Sequence, residues 1–398
     1  MIPGRRLCGP AAAAERWCEA WRGGSPARLL LLLAATDTAA VPGISAAGAT
    51  AAARRRTAAA DAELLLRGPA GPRPHALPPL AAGVSPALIG HVVVRELGLA
   101  PLVIDLGCAV APAVPHLRPP PPAGAGPARC LSGGAAMAPE RVEALLALGR
   151  RWGERLGAGE PQRPLVVAEC VPGGTTTALA LLTGLGVSAA GLVSGSLRRP
   201  VHGLKAALTA RGLAAAGLAP GGPEAGGDGK GANHRLDPHR VVAAIGDPMQ
   251  PLAAGLALGA TGAGGAVLLA GGSQMAAVLA LALELAPPAL RGRLAERAAV
   301  VTPAWVAEEP GSDLAGLMEL IGRRWRVAPL AFAAGLRFDT TAHPALAAYE
   351  RGYVKEGVGA GGLALLWQLS GRSPTALAAA CDHACRELLG PRLRSVHG

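Results

Sequence analysis

The run Val166-Val167-Ala168-Glu169-Cys170-Val171-Pro172-Gly173-Gly174-Thr175-Thr176-Thr177-Ala178-Leu179-Ala180 decides the fold. Its apolar start, Leu165 to Ala168, reads as a buried strand. A carboxylate, a Pro-Gly-Gly turn, three threonines and an Ala/Leu helix follow. A strand, a glycine loop and a helix start make an anion site in an α/β protein. The first N–H groups of a helix lack intrahelical partners, and the helix dipole adds partial positive charge. Glu169, at the carboxyl end of the strand, falls on the rim of the same crevice. The loop is not a Walker A motif, because no lysine follows Gly174, and it is not G-x-G-x-x-G. The residues equally allow a plain tight turn with Thr175 as helix N-cap.

Working outward, strand-like apolar runs recur at 29–35, 101–105, 165–168, 191–194, 241–245, 266–270, 298–302 and 329–333. Helical patterns occupy 87–97, 139–156, 175–185, 202–213, 252–259, 274–285 and 313–322, and a further helix lies around Glu15–Trp21. Apolar strands alternating with helices predict a three-layer α/β/α fold with a mainly parallel, Rossmann-like sheet. Right-handed crossovers put the strand carboxyl ends on one edge. Loops 36–48, 169–177, 194–200, 246–251, 271–275 and the turn at Glu356 then converge there. The expected organisation is a single domain over 1–398, with its core at about 29–370. The chain ends, 1–28 and 371–398, form a smaller helical lobe. The Pro-rich stretch 111–129 and the Gly-rich stretch 219–238 read as flexible loops.

Composition narrows the function. The chain has 398 residues and a net charge of +11, with only 3% aromatic residues, so its core must be Leu, Val and Ala. The basic residues are scattered except for Arg54-Arg55-Arg56, and no aromatics interleave with them. That argues against nucleic acid and fits phosphate-bearing small molecules. The uncharged span from Pro248 to Leu283 is broken by seven glycines, and Leu29 to Ala35 is too short to cross a bilayer. No export signal follows Arg5-Arg6, so the expected location is the cytoplasm. The seven cysteines have no regular spacing. Cys381 and Cys385, even with His383, fall short of a closed zinc site, so no metal is expected.

Three later segments carry a family resemblance when read with the first: Ile245-Gly246-Asp247-Pro248-Met249-Gln250-Pro251, Leu268-Leu269-Ala270-Gly271-Gly272-Ser273-Gln274-Met275, and Tyr353-Val354-Lys355-Glu356-Gly357-Val358-Gly359-Ala360-Gly361-Gly362. Together they resemble the nicotinate-nucleotide–dimethylbenzimidazole phosphoribosyltransferases, in the divergent branch found in archaea and cyanobacteria. Thr36-Asp37-Thr38, Pro42 to Gly48, Ala59 to Glu63, Gly83 to Ile89 and Ala135-Ala136-Met137 also look like that branch. The resemblance runs from about residue 30 to about 390.

That resemblance implies transfer of a ribose 5-phosphate from nicotinate mononucleotide to a nitrogen of a lower-ligand base, dimethylbenzimidazole or adenine. The product serves cobamide nucleotide-loop assembly, no cofactor is needed, and a homodimer is expected. Glu356 matches the family's catalytic glutamate and is the expected general base. Glu169 matches the glutamate before the family's phosphate loop and is expected to support the ribose cation or a ribose hydroxyl. Gly173, Gly174, Thr175 and Thr176 are expected to hold the phosphate, with Lys205 as counter-charge. Here Pro-Gly-Gly-Thr-Thr-Thr stands where the better-known enzymes have Gly-x-Gly-Asn-Thr-Thr. Asp247, expected to follow a buried strand, is a candidate ribose contact or a turn-forming residue. Ser273 and Gln274 are a second candidate contact or a helix cap, and Ser85 and Pro86 lie where a base pocket could form. Two rival readings share these residues: a nucleosidase that hydrolyses the same nucleotide, and a non-catalytic nucleotide-binding protein.

Overall fold

A computed structural model of the chain describes residues 3–22, 27–159, 163–219 and 236–390. Most of the 219–238 stretch lies outside the described residues. Seven strands form one sheet: β1 (Arg5–Cys8), β2 (Arg28–Leu33), β3 (Leu102–Asp105), β4 (Leu165–Cys170), β5 (Val267–Ala270), β6 (Ala298–Pro303) and β7 (Leu330–Ala334). Their order is β1-β7-β6-β5-β4-β2-β3, parallel throughout except for β1, which runs antiparallel to β7. Helices cover both faces, giving the expected three-layer α/β/α architecture.

The inner strands are near-continuous apolar runs because both faces are buried. Every residue of β4 is buried. Alternate side chains feed two separate apolar layers. Leu30, Leu32, Val167, Leu269 and Val300 point to one, and Leu31, Leu33, Val166, Leu268 and Val301 to the other. The first layer includes helices Pro139–Gly159 and Met249–Gly262, which pack backbone to backbone. A Cβ built on Gly149, Gly153 or Gly157 would sit under 3.0 Å from a carbonyl oxygen of the facing helix, and one on Gly255 or Gly259 would do the same in return.

Two expected strands are not strands. Residues 241–245 belong to the helix Pro238–Ile245, which Asp237 caps through the His239 amide, with Pro238 in its first turn. A five-residue apolar run has no period of its own, and the Asp-Pro start is a helix signal. Residues 191–194 are irregular, and the Ser194 amide donates to Ser273 Oγ at 2.9 Å. The amino-terminal end is part of the sheet rather than of a helical lobe. Arg5 pairs with Ala333 and Arg6 with Phe332, and the next helix, Ala11–Glu19, sets Trp17 on Phe332 with 5.1 Å between ring centroids. The carboxyl-terminal helix Pro374–Leu389 packs instead on helices Ala87–Glu96 and Ala360–Leu369. Segment 111–129 is irregular and is tied to the sheet edge by bridges Ile104–Leu117 and Thr36–Ala128.

Among the described residues, no helix is long and apolar enough to cross a membrane, and no group of three or more His, Cys, Asp or Glu is placed to hold a metal ion.

Candidate active site

The carboxyl ends of β4, β5 and β6 open onto a cavity of about 300 Å³. Its floor is the stretch that opened the sequence analysis. Gly173 takes φ 83°, a left-handed conformation that glycine adopts freely, and turns the chain into helix Gly174–Gly184. A Cβ at Gly174 would land on Gln274 Oε1, so any side chain there must push Gln274 aside. Two loop amides are already used within the turn: Gly174 N–H donates to Val171 O at 2.8 Å, and Thr176 N–H to Gly173 O at 2.9 Å. Gly173, Gly174 and Thr175 line the cavity, with Ser273 and Gln274 beside them. Lys205 stands just behind. Its ammonium donates to Thr175 Oγ1 at 3.0 Å and to Ser194 O at 2.5 Å. Burial pushes this lysine down to about 7.

Two further expected contacts, like Lys205, are not on the cavity wall. Thr176 is buried in the helix with its hydroxyl unpartnered. Asp247 follows a helix rather than a strand, accepts from Thr177 Oγ1 at 2.5 Å and from the Met249 amide at 3.0 Å, and starts helix Met249–Gly262. It braces helix Gly174–Gly184 from behind.

Glu169 and Glu356 both line the cavity. Glu169 accepts from the Val171 amide at 3.0 Å. Glu356 accepts from Thr302 Oγ1 at 2.8 Å and from the Gly361 amide at 3.1 Å, at the start of helix Ala360–Leu369. One backbone bond, Val358 N–H to Glu169 O at 2.8 Å, ties the two segments together across the sheet edge. Burial raises Glu169 to about 8, helped by the neighbouring Glu356 charge, and burial raises Glu356 to about 7. Two carboxyls that repel and are both desolvated titrate as a pair and keep about one proton near neutrality.

The turn that carries Glu356 is strained. Val354, Lys355 and Val358 have φ of 60°, 50° and 53°. Valine rarely visits this region, and each such residue costs about 1–3 kcal/mol. Packing supplies the compensation. Although aromatics are scarce, Trp305, Phe338 and Tyr349 cluster here with centroids 5.1–5.6 Å apart. Trp305 Nε1 donates to Lys355 O at 2.7 Å, and the Tyr349 hydroxyl donates to Val84 O at 2.7 Å. The same cluster therefore fixes the Glu356 turn and the adjoining wall, where Ser85 and Pro86 line the cavity beside Val84.

The sequence pattern alone did not point to Asp61 or Lys355. Asp61 lines the cavity from helix Thr57–Arg67, one of whose faces buries alanines and leucines. Lys355, 2% exposed and ion-paired with Glu309, lines it next to Glu356. Both lie in stretches that carry the family resemblance, Ala59 to Glu63 and Tyr353 to Gly362, but neither is singled out there.

No family model matches the chain. A UPF0284 protein of Prochlorococcus marinus (strain MIT 9313) is 52% identical over 387 residues, covering 95% of this chain and 91% of its own. One from Parasynechococcus marenigrum (strain WH8102) is 50% identical over 341 residues, covering 84% and 81%. Among solved structures, CobT from Thermus thermophilus superposes with a TM-score of 0.52 at 20% identity, over 95% of this chain and 91% of that one. A structure of nicotinate-nucleotide-dimethylbenzimidazole phosphoribosyltransferase from the same organism gives 0.51 at 20% identity, over 96% and 92%. By its relatives and by the architecture of its parallel sheet, the chain is a member of the UPF0284 family, a divergent branch with the fold of the nicotinate-nucleotide–dimethylbenzimidazole phosphoribosyltransferases.

Proposed function

We propose that this protein moves a phosphoribosyl group from nicotinate mononucleotide to a nitrogen of a second heteroaromatic base, releasing nicotinate. The observation that carries this reading is the pairing, in one cavity, of a glycine–threonine loop backed by Lys205 with two buried carboxyls of raised pKa.

The chemistry follows from those parts. The phosphate sits against Gly173, Gly174 and Thr175. Its charge keeps Lys205 protonated, which burial alone disfavours. The bond from the ribose anomeric carbon to the pyridinium nitrogen breaks, and its electron pair neutralises the ring, so no acid is required. Positive charge grows on the ribose beside Glu169, and a cation there draws the pair toward ionisation. The acceptor nitrogen bonds to the anomeric carbon, and Glu356 takes the proton that this nitrogen loses. A base with a pKa near 7 suits that task. Val84, Pro86, Val306 and Val354 give this end of the cavity an apolar lining. That lining favours a flat ring as acceptor over water, and so a transferase over a nucleosidase.

The test is chromatographic. Purified protein is incubated with nicotinate mononucleotide, with and without dimethylbenzimidazole or adenine, beside Glu356→Gln. A riboside phosphate that forms only with a base, and is lost in the variant, supports the transferase. Free nicotinate formed without a base replaces it with a hydrolase. Binding with no turnover of any base leaves a nucleotide-binding protein.

A further inference from the structure

A third buried carboxyl faces the cavity, and the reaction outlined above gives it no task. Asp61 is 5% exposed and lies beside Ser85 on the acceptor side. The Ser85 hydroxyl donates to Asp61 Oδ1 at 2.6 Å and accepts from the Ala87 amide at 3.1 Å, so its only proton is committed. The Cys170 thiol, a weak donor, stands 3.5 Å from Oδ2. Both partners are neutral. A carboxylate offers about four lone-pair sites, so roughly half of them have no donor. Merely holding Ser85 at the start of helix Ala87–Glu96 does not call for a carboxylate, since a neutral amide oxygen also accepts that bond. Burial raises the group to about 6, which still leaves it largely ionised at neutral pH.

We propose that Asp61 selects the acceptor: it accepts a hydrogen bond from an N–H of the incoming base other than the proton taken by Glu356. The inference rests on the transferase reading and deepens it. The favoured acceptor is a heteroaromatic base that carries an amino group or a second N–H. A ring with only apolar substituents gains nothing from Asp61 and leaves its carboxylate desolvated without a partner, which is unfavourable. Pro86 and Val84 supply the ring contact, and Asp61 supplies the polar choice.

Three acceptors separate the outcomes: purine, adenine with an added amino donor, and 6-methoxypurine with an added acceptor only. Each is assayed with the wild type, Asp61→Asn and Ser85→Ala. An asparagine keeps the shape, still accepts from Ser85 and turns an N–H toward the cavity. The wild type is expected to prefer adenine over both other bases by about tenfold or more in acceptor kcat/KM, the usual size for a hydrogen bond to a charged group. In Asp61→Asn the gap between adenine and 6-methoxypurine should fall below about threefold, through acceptor KM rather than kcat, with the donor KM moving less than about twofold. An unchanged ranking in the variant, or no preference in the wild type, overturns the proposal. If Asp61→Asn does not fold, as read from its thermal melt, Ser85→Ala takes its place. Loss of the orienting donor should then shrink the adenine preference, and an unchanged preference overturns the idea. If the wild type turns over no base, the transferase reading has failed on its own. Equilibrium dialysis of the same three bases then decides: a preference that collapses in Asp61→Asn supports the selector, and equal binding sinks it.

Discussion

The two ends of the cavity are made by opposite means. The glycine-loop end, proposed to take the phosphate, is mostly backbone: a left-handed glycine, a helix start and one hydroxyl, with the Lys205 ammonium behind it. The base end is side chain: carboxyls at 61 and 356 and a hydroxyl at 85, held by an aromatic cluster that bonds both walls. Burial acts on them with opposite sign. It drives the proton off Lys205 at one end and keeps protons on Glu169 and Glu356 at the other. Among the described residues, the one cation lining the cavity beside the carboxyls, Lys355, is paired with Glu309, so burial is left unbalanced at both ends. A ligand of the proposed kind, with a phosphate at one side and a cationic ring at the other, would supply both counter-charges and relieve two unfavourable desolvations.

The sharpest way to break this contrast is Glu356→Gln. An amide cannot accept the acceptor's proton, and kcat should fall by about 10²–10⁴-fold with the donor KM little changed, as steady-state rates would show. Lys205→Met attacks the other end. Loss of a charged hydrogen-bond donor should lower donor kcat/KM by about 10–100-fold and leave the acceptor KM nearly intact. Gly174→Ala tests whether the phosphate end is truly backbone-built. The new methyl displaces Gln274 and the loop, and the donor KM should rise by about tenfold, measured by the same assay.

The smallest effect is on stability against pH. Folding raises Glu169 and Glu356 above ordinary carboxylates, so between about pH 4 and 8 the native chain holds more protons than the unfolded one. Stability therefore falls as pH rises through that window. Glu356→Gln removes part of that slope. Its melting temperature should gain on the wild type from pH 5 to pH 8, by the equivalent of about 2 kcal/mol. Parallel curves would mean that the carboxyls are not desolvated.

The same contrast explains what the sequence disclosed. The phosphate end comes mainly from consecutive residues, 165–180, whose strand, turn and helix signals are local, so it could be read directly. Six of the seven strands were visible as apolar runs. Arg5–Cys8 was not, because an edge strand with Arg5 and Arg6 exposed carries no such run. Residues 241–245 misled because five apolar residues fit a strand or a buried helix equally, and the Asp237-Pro238 cap was the deciding signal. Glu356 was found only through a family turn. Asp61 and Lys355 fell inside stretches that resemble the family, but their place at the site was not legible, since partners such as Ser85 and Glu309 are set by tertiary contact, 24 and 46 residues away.

The glycine seam between helices Pro139–Gly159 and Met249–Gly262 has a consequence for how this lineage can change. Most packed surfaces drift by exchanging one side chain for another of similar size. Here no side chains stand between the backbones, so the smallest step that mutation offers, a single methyl, already meets a carbonyl on the other side. Overpacking of that kind costs about 1–3 kcal/mol. A helix shifted to admit it would take its first turn along, and that turn begins at the Asp247 brace of the phosphate loop. The seam has no neutral neighbours in sequence space. Variation in this protein should therefore gather on the walls of the acceptor pocket and be rare along this line of glycines.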